Sequence, residues 1–437
     1  MTTAPRHFSS ASIPQPFVRE PSEVHVDLEA RETAWEISPE RTVSAWGYEG
    51  SVPGPTIVAQ VGDTLVAHLV NNLPEPTSIH WHGLRLPAPM DGTQLVQRLV
   101  QPGDAFDYRF ELPDAGTFWY HSHENETVQI ERGLYGAIVV LGPNEPVFDA
   151  DRLLVLDDVK LDRHGNIAKT ALLDRHSGRE GSVLVINGRS EPEYKIAAGQ
   201  VERWRTVNAC SARYVRLSLG GRAFRIIGGD GGLRADAVTV DEVLLAPAER
   251  IELAVGPFED EGAEIAIESL PYRRTSVKRP RRDRWGTLRV GPRAPSVASI
   301  PAALAAIEPL VPPGPIGPTR TVRLGARMTL HGHDWLINGE QHHHDEPVKV
   351  GELQIWELVN ETGMDHPFHL HGFFFQVVAT DGVPTVPKSW ADTVNVAAKG
   401  RVTIAFRPDD RPGKWMYHCH ILEHHAAGMM GHFEVVR

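Results

Sequence analysis

The sequence predicts an all-β fold built from repeats of one β-sandwich unit, and three observations carry that expectation. Short runs of alternating apolar and polar residues recur along the chain, with turn signals such as Gln101-Pro102-Gly103-Asp104 between them. The 34 prolines and 39 glycines are enough to punctuate many short strands, and no long helical pattern is evident. A similar turn occurs three times, at Val61-Gly62-Asp63, Ala198-Gly199-Gln200 and Val350-Gly351-Glu352, and each is followed by an alternating apolar strand. This is a weak internal repeat of a sandwich unit.

Taken in order, residues 1–20 are rich in Pro and Ser and form an N-terminal arm. The first strand-rich block, 21–143, contains Thr56–Val61, Thr64–Val70, Phe106–Leu112 and Gly136–Leu141. The second, 144–291, contains Leu153–Leu156, Val183–Ile186, Val201–Val207, Tyr214–Leu219, Ala223–Ile227 and Ile251–Val255. Its stretch from Arg273 to Arg284 is strongly basic but lacks an aromatic ladder, so a solvated loop is expected rather than a nucleic-acid patch. Residues 292–320, dense in Pro and Ala around Pro312-Pro313-Gly314-Pro315, form the linker to a third block, 321–437.

A chain of 437 residues holds roughly two to four domains. Its 41% apolar and 23% charged content is that of a soluble globular protein, and no apolar run is long enough to span a membrane. The formal net charge of -12 argues against nucleic acid as a partner. Met1 to Ser12 lack the apolar stretch of a signal peptide, so the chain is expected to be cytoplasmic, or periplasmic or extracellular after removal of a leader. A monomer is expected.

The chemistry sits in four clusters: His80-Trp81-His82-Gly83, His121-Ser122-His123, His369-Leu370-His371-Gly372 and His418-Cys419-His420. Residues two apart on a strand point to the same side, so each pair can aim two imidazoles at one place. Eight convergent imidazoles suffice for a cluster of three metal ions. Imidazole suits copper, zinc, iron and nickel alike, and the fourth cluster decides among them. Cys419 points away from its flanking histidines, towards a second site. His424 and Met429 follow it and His366 precedes Pro367. One thiolate, two imidazoles and a weak thioether make a blue-copper site. Zinc is the weaker reading, since structural zinc sites favour several thiolates. An electron reaching Cys419 has a short covalent path to His418 or His420.

These motifs, in this order and at both ends of the chain, resemble those of multicopper oxidases, in particular bacterial three-domain laccases and copper-efflux oxidases. The resemblance implies three cupredoxin-like β-sandwich domains, the middle one a spacer, and four copper ions. His80 and His369 would be the ligands of type 2 copper. His82, His121, His123, His371, His418 and His420 would hold the type 3 pair, and His366, Cys419, His424 and Met429 the type 1 ion. The implied activity is that of a laccase, coupling one-electron oxidation of phenols or aromatic amines to reduction of dioxygen to water. The alternative is a metallo-oxidase acting on Cu(I) or Fe(II) in copper tolerance. Only seven methionines are present and none cluster before Met429-Met430, which disfavours a dedicated cuprous oxidase. A copper-free interaction protein on this fold and a copper carrier without turnover are the readings from other classes. The donor is expected to dock near His424 or His366.

Asp91 occupies a position where the family often places an acid that delivers protons, although Asp91-Gly92 also suits a simple turn. His425 stands where many bacterial relatives have a Glu, and imidazole can also shuttle protons near neutral pH. Glu124 and Glu423 are near in sequence only. His342, His343 and His344, with His331 and His333 upstream, are expected to lie in an exposed loop. Cys419 as a ligand leaves Cys210 without a partner, so no intrachain disulfide is expected, and Cys210 is read as buried and inert. Trp81, Trp119 and Trp415 are expected to pack beside the ligands and exclude water.

Overall fold

Alternation along the strands translates directly into burial. In the strand Thr64–Asn71, Leu65, Ala67, Leu69 and Asn71 are buried and the residues between them are not. Fully burying an aliphatic side chain contributes about 1.5–3 kcal/mol, which is what ties such a strand to one face of a sheet. The computed structural model describes residue 13 and residues 19–276, 278–312, 314, 317–329 and 332–437. Most of the 1–20 arm, Pro313 and Pro315 of the proline run, and His331 lie outside the described residues.

The strands form six sheets that face one another in three pairs. In the first pair, the order Arg41–Tyr48, Glu23–Ser38, Thr64–Asn71, Ala105–Glu111 faces the order Ile57–Gln60, Tyr135–Leu141, Gly116–His121, His80–His82. Leu28, Leu65, Trp81, Tyr108 and Ile138 fill the space between them. The second pair encloses Trp204, Leu217, Leu253 and Trp285, and the third Trp356, Phe368, Phe406, Tyr417 and Phe433. Within the third pair, one sheet runs Met430–Val436, Gly413–Cys419, His366–Leu370, Thr393–Val396. The fold is all-β, as expected, and its helices are short: Glu126–Gln129, Leu172–Ser177 and Leu422–Ala426, the last packed on the other two.

The repeated turn does the same work in each pair. It carries the chain from one sheet to its partner, and the strand that follows pairs in parallel with the first long strand of the unit. The turn glycines Gly62, Gly199 and Gly351 have φ of 88°, 84° and 79°, a left-handed conformation open to glycine and strained for other residues.

One strand breaks the alternation. Every residue of Glu202–Asn208 is buried, including Arg203 and Arg205. Arg205 bonds Asp151 at 2.9 Å and Glu252 at 3.0 Å, and Glu252 also accepts from the Thr117 hydroxyl at 2.6 Å. Thr117 belongs to the first pair of sheets, so an ionic cluster seals the first unit to the second. The stretch 292–312 forms no strand or helix. It lies along the second unit, where Ala298, Ile300 and Leu304 cover Phe148, Val201 and Ile227. The basic stretch departs from the expected solvated loop at Arg274, which is buried and bonds Glu180 at 2.9 Å.

A Cβ on Gly351 would meet nothing within 4 Å, so only its backbone conformation resists substitution. Gly351→Ala is expected to destabilise the protein by about 1 kcal/mol, read as a lowered thermal midpoint; an unchanged midpoint would contradict the strained turn.

Candidate metal centre

Two antiparallel pairings bring the histidine clusters to the ends of their sheets. His80–His82 lies beside Gly116–His121 with His80 opposite His121. His366–Leu370 lies beside Gly413–Cys419 with His369 opposite His418 and Phe368 opposite Cys419. All eight paired histidines are buried and meet between the first and third units. The rings of His82 and His369 stack at 3.7 Å, those of His80 and His371 at 3.9 Å, and His420 lies 5.1 Å from His82.

Ring nitrogens gather in groups whose members lie within 4.8 Å of one another, among them His80, His82 and His369; His82, His121 and His420; and His123, His371 and His418. This differs in detail from the expectation that both rings of a pair serve one place. His121 and His123 go to neighbouring groups, as do His418 and His420, because the chain leaves the strand at His121 and again at Cys419.

The free nitrogens fit metal ions. His80 turns Nδ1 to the carbonyl of Asp91 at 2.8 Å, His121 to that of Ser122 at 2.8 Å, and His369 to that of Asp392 at 3.0 Å. Their Nε2 atoms, that of His123 and both ring nitrogens of His420 are buried without a protein partner. Such an unmet nitrogen costs about 1–3 kcal/mol, which a bound cation would offset. Burial pushes His82, His121, His371, His418 and His420 well below the ordinary imidazole range, and His123 down to about 4. All are therefore neutral, the form that coordinates a metal.

Cys419 faces the other way. Its Sγ lies 3.4 Å from His366 Nδ1 and 3.7 Å from His424 Nδ1, and those two nitrogens are 3.2 Å apart. The far nitrogens are already engaged: His366 Nε2 with Thr362 Oγ1 at 2.8 Å, and His424 Nε2 with the carbonyl of His176 at 3.2 Å. Met429 is buried in the same core, and its carbonyl accepts the Cys419 N–H at 3.1 Å. A soft sulfur with two imidazoles suits copper. Burial raises the Cys419 thiol to about 12, so a metal has to displace its proton. His366 and His424 are fully buried. A donor docked near either residue would therefore not touch its ring.

Several carboxylates surround the rings. Asp91, also buried, accepts from His371 Nδ1 at 2.9 Å and lies 3.4 Å from His80 Nδ1. Asp392, which no sequence signal marked, lies 3.2 Å from His82 Nε2 and takes Arg250 from the middle unit at 2.8 Å. Burial disfavours its charge, but Arg250 and the rings of His369 and His82 hold it well below the usual carboxylate range. His425 stacks on His418 at 4.2 Å and bonds Glu126, a second residue missed in the sequence. Glu126 also lies 3.4 Å from His123. Glu124 turns outward to Gln94, and Glu423 lies 3.5 Å from Arg179, so neither faces the rings. The expected exposed loop is corrected in part: His342 and His344 are exposed, but His343–His344 pair as a strand with Met430–Val436, His344 bonds His432 at 2.9 Å, and His333 lies half-buried in the strand Gly332–Ile337. Cys210 is buried and free, and Trp81, Trp119 and Trp415 are buried, with Trp119 4.3 Å from His121.

Two family models, both described as multicopper oxidase, match residues 29–145 and 317–437. Multicopper oxidase MmcO of Mycobacterium tuberculosis is 31% identical over 436 residues, covering 89% of this chain and 82% of its own. A laccase of Bacillus subtilis is 27% identical, covering 88% and 89%. Among solved structures, a multicopper oxidase from Campylobacter jejuni described as a metallo-oxidase aligns with a TM-score of 0.86 at 30% identity, covering 98% of this chain and 94% of that one. A laccase from Pediococcus acidilactici aligns at 0.84 and 26% identity, covering 100% and 95%.

With its thiol near 12 and His366 held at about 3 by burial, the cysteine site loses one proton and the histidines none when copper binds at neutral pH. Calorimetric titration of apoprotein in buffers of different ionisation enthalpy should show release of about one proton at this site. Affinity there should fall about tenfold for each pH unit lowered. Cys419→Ser should remove both the proton release and the thiolate-to-copper visible band; a retained band would exclude Cys419 as the ligand.

Proposed function

We propose that this chain, which belongs to the multicopper oxidase family, acts as a laccase-type enzyme on phenols and aromatic amines. Members of the family carry four copper ions and couple oxidation of a small reducing substrate to reduction of O2. The observation that carries the reading is the division of labour around one strand end: Cys419 Sγ with His366 and His424 on one side, His418 and His420 among the eight imidazoles on the other.

His80 and His369 would hold the type 2 ion. His82, His121 and His420 would hold one ion of the type 3 pair, and His123, His371 and His418 the other. His366, Cys419, His424 and Met429 would hold type 1. Bound copper supplies one-electron uptake at the thiolate and four-electron delivery to dioxygen at the cluster. The protein's own groups supply order and protons. Asp91 Oδ2 fixes the His371 ring by its Nδ1–H and offers a buried acceptor beside His80. His425 takes the place of a relay carboxylate, and Glu126 restores that carboxylate from another segment, bonded to His425 Nδ1. Burial disfavours the Glu126 charge, but His425 and His123 hold its pKa well below the usual range. Protons for water formation would thus pass between Glu126 and His425 Nδ1, beside His123 and His418. Trp81, Trp119 and Trp415 keep bulk water out.

The second reading, oxidation of Cu(I) or Fe(II), draws on the similarity to the metallo-oxidase from Campylobacter jejuni. Turnover of dimethoxyphenol with and without added Cu(II) separates the two: the laccase reading expects little change, and strong copper dependence favours the metal oxidase. Glu126→Gln is expected to slow oxygen uptake roughly a hundredfold, with KM for the phenol nearly constant. Retained turnover across the pH range would remove Glu126 from the proton path.

A further inference from the structure

With His366 and His424 buried, electrons must come to them through other groups, and the structure offers one column of rings. Trp335 packs against His424 with ring centroids 3.9 Å apart and planes inclined by 32°. His333 and His176 lie 5.9 Å and 6.2 Å from Trp335, and 4.3 Å from each other. Both are partly exposed. His333 lines a cleft of about 670 Å³ that also borders the helix carrying His424, a volume ordinary for a small-molecule site.

The charges of the cleft are uneven. Arg179 sits between two carboxylates, Glu131 at 3.0 Å and Glu423 at 3.5 Å, and Asp334 is paired with Arg327 at 2.7 Å. Lys169 and Arg175, both exposed on the wall, have no ion-pair partner among the described residues. With Arg132 also on the wall, the cations Arg132, Lys169, Arg175 and Arg179 outnumber the carboxylates Glu131, Glu423 and Asp334, which makes the cleft locally cationic on a chain of net charge -12. The main chain of Arg175 is held in place, because its carbonyl accepts the Trp335 indole N–H at 3.1 Å.

We propose that this cleft docks the reducing substrate and selects phenols that carry a carboxylate, with the ring against His333 and the carboxylate on Lys169 and Arg175. The proposal rests on the phenol-oxidase reading. In each turnover the phenol loses one electron through the His333–Trp335–His424 contact and its O–H proton to water, leaving a phenoxyl radical. Four such electrons, with four protons, convert one O2 into two waters.

The test uses copper-loaded enzyme and two probes that cannot be oxidised at a phenol: para-methoxybenzoate and neutral para-methoxybenzyl alcohol. Calorimetry should show the benzoate binding more tightly than the alcohol, and weakening about tenfold in K169Q/R175Q or on raising salt. The ratio of kcat/KM for syringate to that for dimethoxyphenol should fall to a similar extent, through KM. His333→Ala should instead lower kcat for both donors. Benzoate binding that equals the alcohol's, or that survives K169Q/R175Q, overturns the proposal. If benzoate binds as expected but no phenol drives oxygen uptake, the carboxylate-selective cleft stands and the phenol-oxidase reading falls.

Discussion

At the end of the strand Gly413–Cys419, side chains must alternate, and both ligand sets depend on it. Cys419 turns to His366 and His424, while His418 and His420 turn to the other imidazoles. A slip of one residue would exchange the two faces and leave the sulfur among the wrong rings. The register is held from both sides, by His418 opposite His369 on one neighbour and opposite Met430 on the other. One neighbour carries His366 and His369 and Met429 directly precedes the other, so the pairing that fixes the strand also brings ligands of both sets beside it.

Gathering so many buried nitrogens opposes folding, and the surrounding ions counter this. Asp392 is the point where three units meet. It belongs to the third, accepts Arg250 from the second, and lies beside His82 of the first. Arg250 in turn bonds the carbonyl of Thr117 at 3.2 Å. A buried guanidinium stripped of its carboxylate is strongly destabilising, so the middle unit is more than a spacer: it clamps the seam in which the rings lie.

Much of this was legible in the sequence because it rests on spacing. Val183–Ile186, a short apolar run, matches its strand, and Thr64–Asn71 extends the expected run by one residue, the latter because a strand with one wet face must alternate. The His-x-His pairs and the lone Cys between two histidines marked the centre for the same reason. What stayed hidden depends on contacts between distant segments. Asp392 and Arg250 leave no period behind them. Glu124 and Glu126 looked alike in sequence, and only the left-handed Asn125, at φ 43°, turns the chain into the short helix that sends Glu126 inward and leaves Glu124 outside. The cover over His424 was equally invisible, because His176 comes from the middle unit.

The ligands come from far-separated parts of the chain: His82 and His420 hold their rings 5.1 Å apart across most of its length. During synthesis on a ribosome, His80, His82, His121 and His123 emerge long before their counterparts. Until the last strands are released, no ion can find its full set of donors. Completion of the copper sites therefore follows synthesis of the last strands.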